Sequence, residues 1–251
     1  MSTWVGVGRS EIGLVRSLNQ DAFAVIDEVS VWAVADGMGG HVGGEVAAQT
    51  AITTVQAEAA ASSHLLRNGQ VSPTDVLTDL ISRAHDAILN RARSKSKLKG
   101  MGTTIVLLAI VSDPAPVAYL AHVGDSRAYR FRSGTLTLLT KDHTLIEKYL
   151  ERGILTAETA KTHPERHVLT RALGVGPTVK PTITAFPILP EDLVLLCSDG
   201  LTKMLEDEDV RTVFADGELD PTQVCNRLVA AALDRGGEDN VTVVVVAPRS
   251  S

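Results

Sequence analysis

Short, almost unbroken apolar runs recur along this chain and are too brief to be helices. Val31–Ala35, Leu193–Cys197 and Val241–Ala247 are rich in valine, leucine and alanine, the pattern of strands buried on both faces of a covered sheet. Trp4–Gly8, Ala22–Ile26 and Ile183–Phe186 add further strands. Between them, Thr103–Val111, Val117–Val123, Arg127–Arg132 and Leu136–Leu139 crowd together, with Ser133-Gly134 as a hairpin turn, and predict antiparallel pairing.

Three stretches instead carry the three-and-four spacing of amphipathic helices. Ala48, Ala51, Ile52, Val55 and Ala59 mark one face of a helix over Glu45–Ala61, after a glycine-rich turn at Gly37–Gly44. Leu77, Leu80, Ile81, Ala84 and Ile88 mark a second, which Ser72 caps and Pro73 opens. The third is Pro221–Leu233, after the cap Asp220. Strand and helix blocks alternate without the regular rhythm of a dinucleotide-binding fold. From His143 to Leu169 the pattern changes to charged, helix-like pieces broken by Gly153 and Pro164, which predicts a surface excursion.

Polar chemistry enters at the ends of the strands. Asp36-Gly37, Ser198-Asp199-Gly200 and Glu238-Asp239-Asn240 each border an apolar run and are read as acidic turns. Three carboxylates projecting from neighbouring strand ends would form a cradle for hard divalent cations such as Mg²⁺ or Mn²⁺, which select oxygen donors. With 251 residues, 44% hydrophobic and 22% charged, and no linker or repeat, the chain is expected to fold as one domain over 1–251. Its net charge of −6 argues against nucleic acid or an anionic membrane as partner. Cys197 and Cys225 are expected to be inert core thiols. No apolar stretch approaches the roughly 20 residues that span a bilayer, so a cytoplasmic protein is the default expectation, and a monomer the expected state.

Six motifs in order resemble the metal-dependent protein phosphatases, the type 2C serine/threonine family, especially its compact bacterial members. They are Gly13-Leu14-Val15-Arg16-Ser17-Leu18-Asn19-Gln20-Asp21, Val34 to His41, Met101-Gly102-Thr103-Thr104, Ala121 to Arg127, Ser198-Asp199-Gly200-Leu201 and Gly237 to Thr242. The resemblance implies an α+β fold, a four-layer α-β-β-α sandwich with two central antiparallel sheets flanked by helix pairs and a metal centre at one end. It implies two or three divalent ions, Mn²⁺ or Mg²⁺. In that pattern Asp36 bridges two ions, Gly37 offers its backbone carbonyl, Asp199 and Asp239 hold the second ion, and Asp125 helps with a third. Asp21 would orient metal-bound water from outside the ligand shell, and Arg16 would anchor the phosphate, since a guanidinium donates two parallel hydrogen bonds and keeps its charge. Asn240 and Thr242 would support Asp239, while Thr103 and Thr104 read as packing and ladder residues.

One position departs from many eukaryotic relatives, where histidine follows the Asp-Gly pair. Met38 stands there in this chain, and His41 is the available proton donor for the leaving oxygen. His122 sits in an apolar strand and reads as a core histidine. The excursion, about 143–170, corresponds to the family's flap, where His163, Arg166 and His167 are candidates for contact with a phosphoprotein. The basic string Arg91, Arg93, Lys95, Lys97 and Lys99 lacks interleaved aromatics and reads as a solvated helix end.

The implied reaction is hydrolysis of phosphoserine and phosphothreonine monoesters by a hydroxide bridging the ions, on proteins phosphorylated by a serine/threonine kinase. A cysteine-based phosphatase is disfavoured because Lys203 stands where an arginine would follow Cys197. Walker-type and dinucleotide-binding glycine signatures are also missing. The alternative from another class is a non-catalytic phosphoprotein-binding scaffold of the same fold. Intact acidic positions weigh against it, because carboxylates brought together without cations repel one another.

Overall fold

A computed structural model describes residues 4–38, 43–68, 71–112, 115–216 and 220–249. The strands are β1 (Trp4–Glu11), β2 (Asp21–Ile26), β3 (Val31–Met38), β4 (Gly102–Thr103), β5 (Ile105–Val111), β6 (Val117–Val123), β7 (Arg127–Arg132), β8 (Thr135–Leu138), β9 (Thr182–Pro187), β10 (Leu193–Cys197) and β11 (Val241–Pro248). Two helices, α1 (Gly43–Asn68) and α2 (Pro73–Ser94), follow β3. The short α3 (Leu145–Glu151) and α4 (Ala157–Lys161) lie between β8 and β9, and α5 (Asp199–Met204), α6 (Asp207–Ala215) and α7 (Pro221–Asp234) lie between β10 and β11.

The strands form two antiparallel sheets, one ordered β1-β11-β10-β7-β8 and the other β2-β3-β5-β6-β9 with β4 added to β3. Period-two alternation sorts their side chains into layers. In β3 and β5, Val31, Ala33, Ala35, Ile105, Leu107 and Ala109 pack with α1 and α2, whereas Trp32, Val34, Val106, Leu108 and Ile110 fill the space between the sheets. In β11, Val241, Val243 and Val245 pack with α6 and α7, and Val244 and Val246 turn inward. The result is the expected α-β-β-α order. Both faces of the central strands are therefore dry, which explains runs that do not alternate with polar residues. A one-residue slip in β11 would exchange two filled cores, and burying a side chain such as Leu107 contributes roughly 2–3 kcal/mol.

Local signals set the helix starts. Pro73 opens α2 after Ser72, and Asp220 caps α7 by accepting from the Thr222 N–H at 3.1 Å. At the β7–β8 turn Ser133 and Gly134 both have positive φ, 48° and 79°, as a tight hairpin requires.

Several expectations need correction. Asp36-Gly37 is not a turn: β3 continues through Met38, and the anticipated glycine-rich turn overlaps residues 39–42, outside the described residues. The strand anticipated over Thr103–Val111 is interrupted at Thr104, whose N–H donates to the Asp36 carbonyl at 2.9 Å. Asp199 opens α5 rather than lying in a turn, and α5 and α6 were not anticipated. The excursion is closed at its stem by Leu145 N–H to Val168 O and Thr170 N–H to His143 O, both 2.8 Å.

Candidate active site

Five chain segments bring acidic residues to the same end of the two sheets. Register places Asp21 of β2 opposite Asp36 of β3. Asp125 lies in the β6–β7 turn, Asp199 opens α5 after β10, and Asp239 precedes β11. A cavity of about 450 Å³ is lined by Asp36, Asp125, Asp199 and Asp239 together with Arg16, Gly37, Lys203 and His167. Asp21 is behind this wall, its Oδ2 accepting from the Ser198 hydroxyl at 2.8 Å.

The backbone of Asp36 is clamped from Thr103 at the end of β4 and from Thr104 between β4 and β5. Its N–H donates to Thr104 Oγ1 at 3.0 Å, its carbonyl accepts from Thr103 Oγ1 at 2.8 Å, and Thr104 Oγ1 also bonds Ser126 Oγ at 2.6 Å, beside Asp125. Thr103 and Thr104 thus position two acidic residues, a role the sequence reading missed. A Gly-Thr-Thr run beside a strand carries only β propensity locally, so the signal lies in the cross-strand register. Gly37 is required by close approach: a Cβ there would lie 2.1 Å from the Gly44 carbonyl oxygen.

The loop carrying Arg16 is fastened to the Asp239 loop. Asn240 Nδ2 donates to the Ile12 and Leu18 carbonyls at 2.8 and 3.0 Å, and its Oδ1 accepts from the Gln20 N–H at 2.8 Å. Only the backbone N–H of Asn240 reaches Asp239, at 2.9 Å. The Asn240 side chain therefore supports the arginine loop rather than the carboxylate. Thr242 likewise departs from expectation, its hydroxyl bonding Ser10 Oγ at 2.7 Å. Gly13, with φ +83°, lets the loop pass 2.3 Å from Asp239 O, measured from where a Cβ would stand.

Arg16 grips Asp239 at both oxygens, Nε to Oδ1 at 2.8 Å and Nη2 to Oδ2 at 2.9 Å. Lys203 Nζ bridges Asp199 Oδ2 at 2.7 Å and Asp239 Oδ2 at 2.8 Å. Burial would raise Asp239, but these cations outweigh it and hold the carboxyl below its ordinary range. Asp36, Asp21 and Asp125 go the opposite way. Burial, followed by the like charges of Asp21, Asp199 and Asp125, pushes Asp36 well up. Asp21 and Asp125 are each raised to about 7, mainly by burial with Asp199 adding repulsion.

Several remaining candidates lie elsewhere. His41 is outside the described residues. His122 is 3% exposed, stacks on His143 with ring centroids 4.6 Å apart and bonds the Lys141 carbonyl at 2.8 Å, as a satisfied core residue does. Cys197 and Cys225 are free and buried, each thiol pushed up to about 12 chiefly by burial. Of the excursion residues, His167 reaches the acidic cavity, Arg166 lines an adjoining groove of about 470 Å³, and His163 sits edge-on to Tyr149. Arg91, Arg93, Lys95, Lys97 and Lys99 are exposed at the end of α2 and beyond. Among the described residues no helix is long and apolar enough to cross a membrane.

Among the described residues, no three His, Cys, Asp or Glu side chains already form a closed ligand set. The donor chemistry nonetheless suits a hard divalent ion. Asp21 Oδ1 and Asp199 Oδ1 are buried and find no hydrogen-bond partner among the described residues, and the acids around them are all oxygen donors burdened by mutual repulsion. A cation would satisfy both needs.

The family model described as protein phosphatase 2C matches residues 8–233. A serine/threonine protein phosphatase PstP of Mycobacterium tuberculosis is 38% identical over 240 residues, covering 94% of this chain but 43% of that protein, so the chain spans less than half of that relative's length. The serine/threonine phosphatase stp of Listeria welshimeri is 34% identical over 241 residues, covering 95% of this chain and 93% of the relative. The crystal structure of a PstP catalytic domain in complex with two manganese ions superposes with a TM-score of 0.81 at 33% identity, covering 99% of this chain and 100% of that one. Matching fold, motif order and family model together place this chain in the protein phosphatase 2C family, the metal-dependent serine/threonine protein phosphatases.

Proposed function

We propose that this chain hydrolyses phosphoserine and phosphothreonine monoesters in proteins, using two or three divalent ions, Mn²⁺ or Mg²⁺, at the acidic cavity. The observation that carries this reading is the convergence of Asp36, Asp125, Asp199 and Asp239 on one cavity beside Arg16, with Asp199 Oδ1 buried and unpaired. Asp36, deepest in charge repulsion, would be shared between ions, with Gly37 beside it; Asp199 and Asp239 would hold one ion and Asp125 would assist a further one. When bound, such ions supply water activation near neutral pH and neutralise charge on the phosphoryl oxygens.

The chain's own residues do the rest. Thr103 and Thr104 hold Asp36 in place through its backbone, so the carboxylate is positioned without using its own oxygens. Asp21, tied to Ser198 through one oxygen, keeps the other for orienting a neighbouring water. Arg16, whose side chain is 51% exposed, can exchange Asp239 for a phosphoryl group with the same two-pronged geometry. His41 is the proposed proton donor to the leaving oxygen. Family resemblance supports substrates phosphorylated by a serine/threonine kinase and a monomer working in the cytoplasm.

Phosphate release from a phosphothreonine peptide tests the reading. Release should require Mn²⁺, stop on chelation and resume when Mn²⁺ is restored. Binding of the peptide without turnover in saturating Mn²⁺ would instead favour the scaffold alternative.

A further inference from the structure

Lys203 has no part in the reaction just described, yet it occupies the most contested position in the site. It lies four residues after Asp199 in α5, so helix geometry sets both on one face. Its Nζ is 2.7 Å from Asp199 Oδ2 and 2.8 Å from Asp239 Oδ2. The side chain is only 26% exposed, and Arg16 restrains Asp239 from the other side. Those two oxygens belong to the two carboxylates assigned above to a single divalent ion. An ammonium bridging both carboxylates takes the space between them that a shared ion would need.

We propose that Lys203 is a tethered counter-cation that competes with the divalent ion for Asp199 and Asp239, so that metal loading is an exchange that sets how much divalent ion the chain needs. The inference rests on the assignment of Asp199 and Asp239 as ligands. A monovalent ammonium offsets part of the repulsion among the acids, which holds the metal-free fold together. It leaves Asp199 Oδ1 unpaired, so an arriving ion meets one free oxygen before the ammonium departs. The displaced side chain has somewhere to go. Lys203 also lines the adjoining groove of about 470 Å³, whose wall includes Glu206, Glu238, Asp142 and Glu147.

The test uses the full chain. Mn²⁺ binding is measured by isothermal titration calorimetry, and thermal unfolding is followed in EDTA, for wild type, Lys203→Gln, Lys203→Arg and Asp239→Asn. Removing the charge in Lys203→Gln should tighten Mn²⁺ binding by about five-fold or more, the usual lower range of coupling between sites, and lower the melting temperature in EDTA. Lys203→Arg keeps a cation and should bind Mn²⁺ as wild type does or more weakly. Unchanged or weaker Mn²⁺ binding in Lys203→Gln overturns the proposal. If that variant does not fold in EDTA, tighter binding by Lys203→Arg overturns it and equal or weaker binding supports it. Asp239→Asn separates the two levels: wild-type Mn²⁺ binding there removes the ligand assignment itself, whereas weakened binding beside an unaltered Lys203→Gln removes only the role of Lys203.

Discussion

Strand β10 is flanked by an aspartate at each end, and the two are handled in opposite ways. Asp192, just before it, is fully buried and completely engaged: Arg132 donates to both of its oxygens, and the Leu189 N–H donates to Oδ2 at 2.8 Å. Asp199, just after it, keeps Oδ1 unpaired and lies among Asp36, Asp21 and Asp125. A carboxylate with its own guanidinium stabilises the fold unaided. One left half-satisfied among like charges makes stability depend on a cation that arrives from elsewhere or, as with Lys203, from the chain itself. The second arrangement weakens the metal-free molecule and is what a site for hard cations needs.

The largest expected effect separates these two kinds of acid. Asp36→Asn should reduce phosphopeptide turnover about a thousand-fold or more, comparable to removing a principal electrostatic group, while leaving the metal-free chain at least as stable because one repelling charge is gone. Asp192→Asn should do the reverse, lowering stability by about 2 kcal/mol with turnover nearly intact. Peptide assays and urea unfolding in EDTA measure both, and loss of the fold in Asp36→Asn would erase the distinction.

A smaller effect sharpens it. Thr104→Val removes the acceptor for the Asp36 N–H and the link to Ser126, so kcat should fall about ten-fold through mispositioning, with a stability cost of about 1–2 kcal/mol. Wild-type kcat with the same melting curve would mean that the clamp does not position Asp36.

The smallest effect concerns His143, which is held neutral near the base of the Asp125 turn. Its Nδ1 accepts from the Gly124 N–H at 3.2 Å, and burial, then the neighbouring His122 and the cation of Arg171, lower its pKa from 6.5 to about 3. The unfolded chain therefore takes up this proton first, and the contribution of His143 to stability falls as pH drops from about 6.5 toward 3. The stability gap between wild type and His143→Asn, measured in EDTA, should narrow over that range; a gap independent of pH would contradict it.

Much of this was legible in the residue pattern. The runs at Val31, Leu193 and Val241 are buried strands because valine and leucine dominate lengths too short for helices, and Pro73 and Pro221 mark helix starts through a missing N–H and a fixed φ. The motif order indicated the α-β-β-α layering. Less legible were α5 and α6, only 6 and 9 residues long and so too short to repeat an apolar stripe over several turns, and the extension of β3 through Gly37, which depends on pairing with Gly102-Thr103.

The chain's own residue order determined most of the strands, the longer helices α1, α2 and α7 and which acidic residues stand at strand borders, because these follow from side-chain period and local backbone preference. Tertiary structure alone decided the partners: Thr104 clamping Asp36, Asn240 fastening the loop of Arg16, and Lys203 lodged between Asp199 and Asp239. Arg16 meets Asp239 from 223 positions away. Such contacts arise only when two sheets stack and bring distant ends together, and no local pattern of hydrophobic and polar residues encodes them.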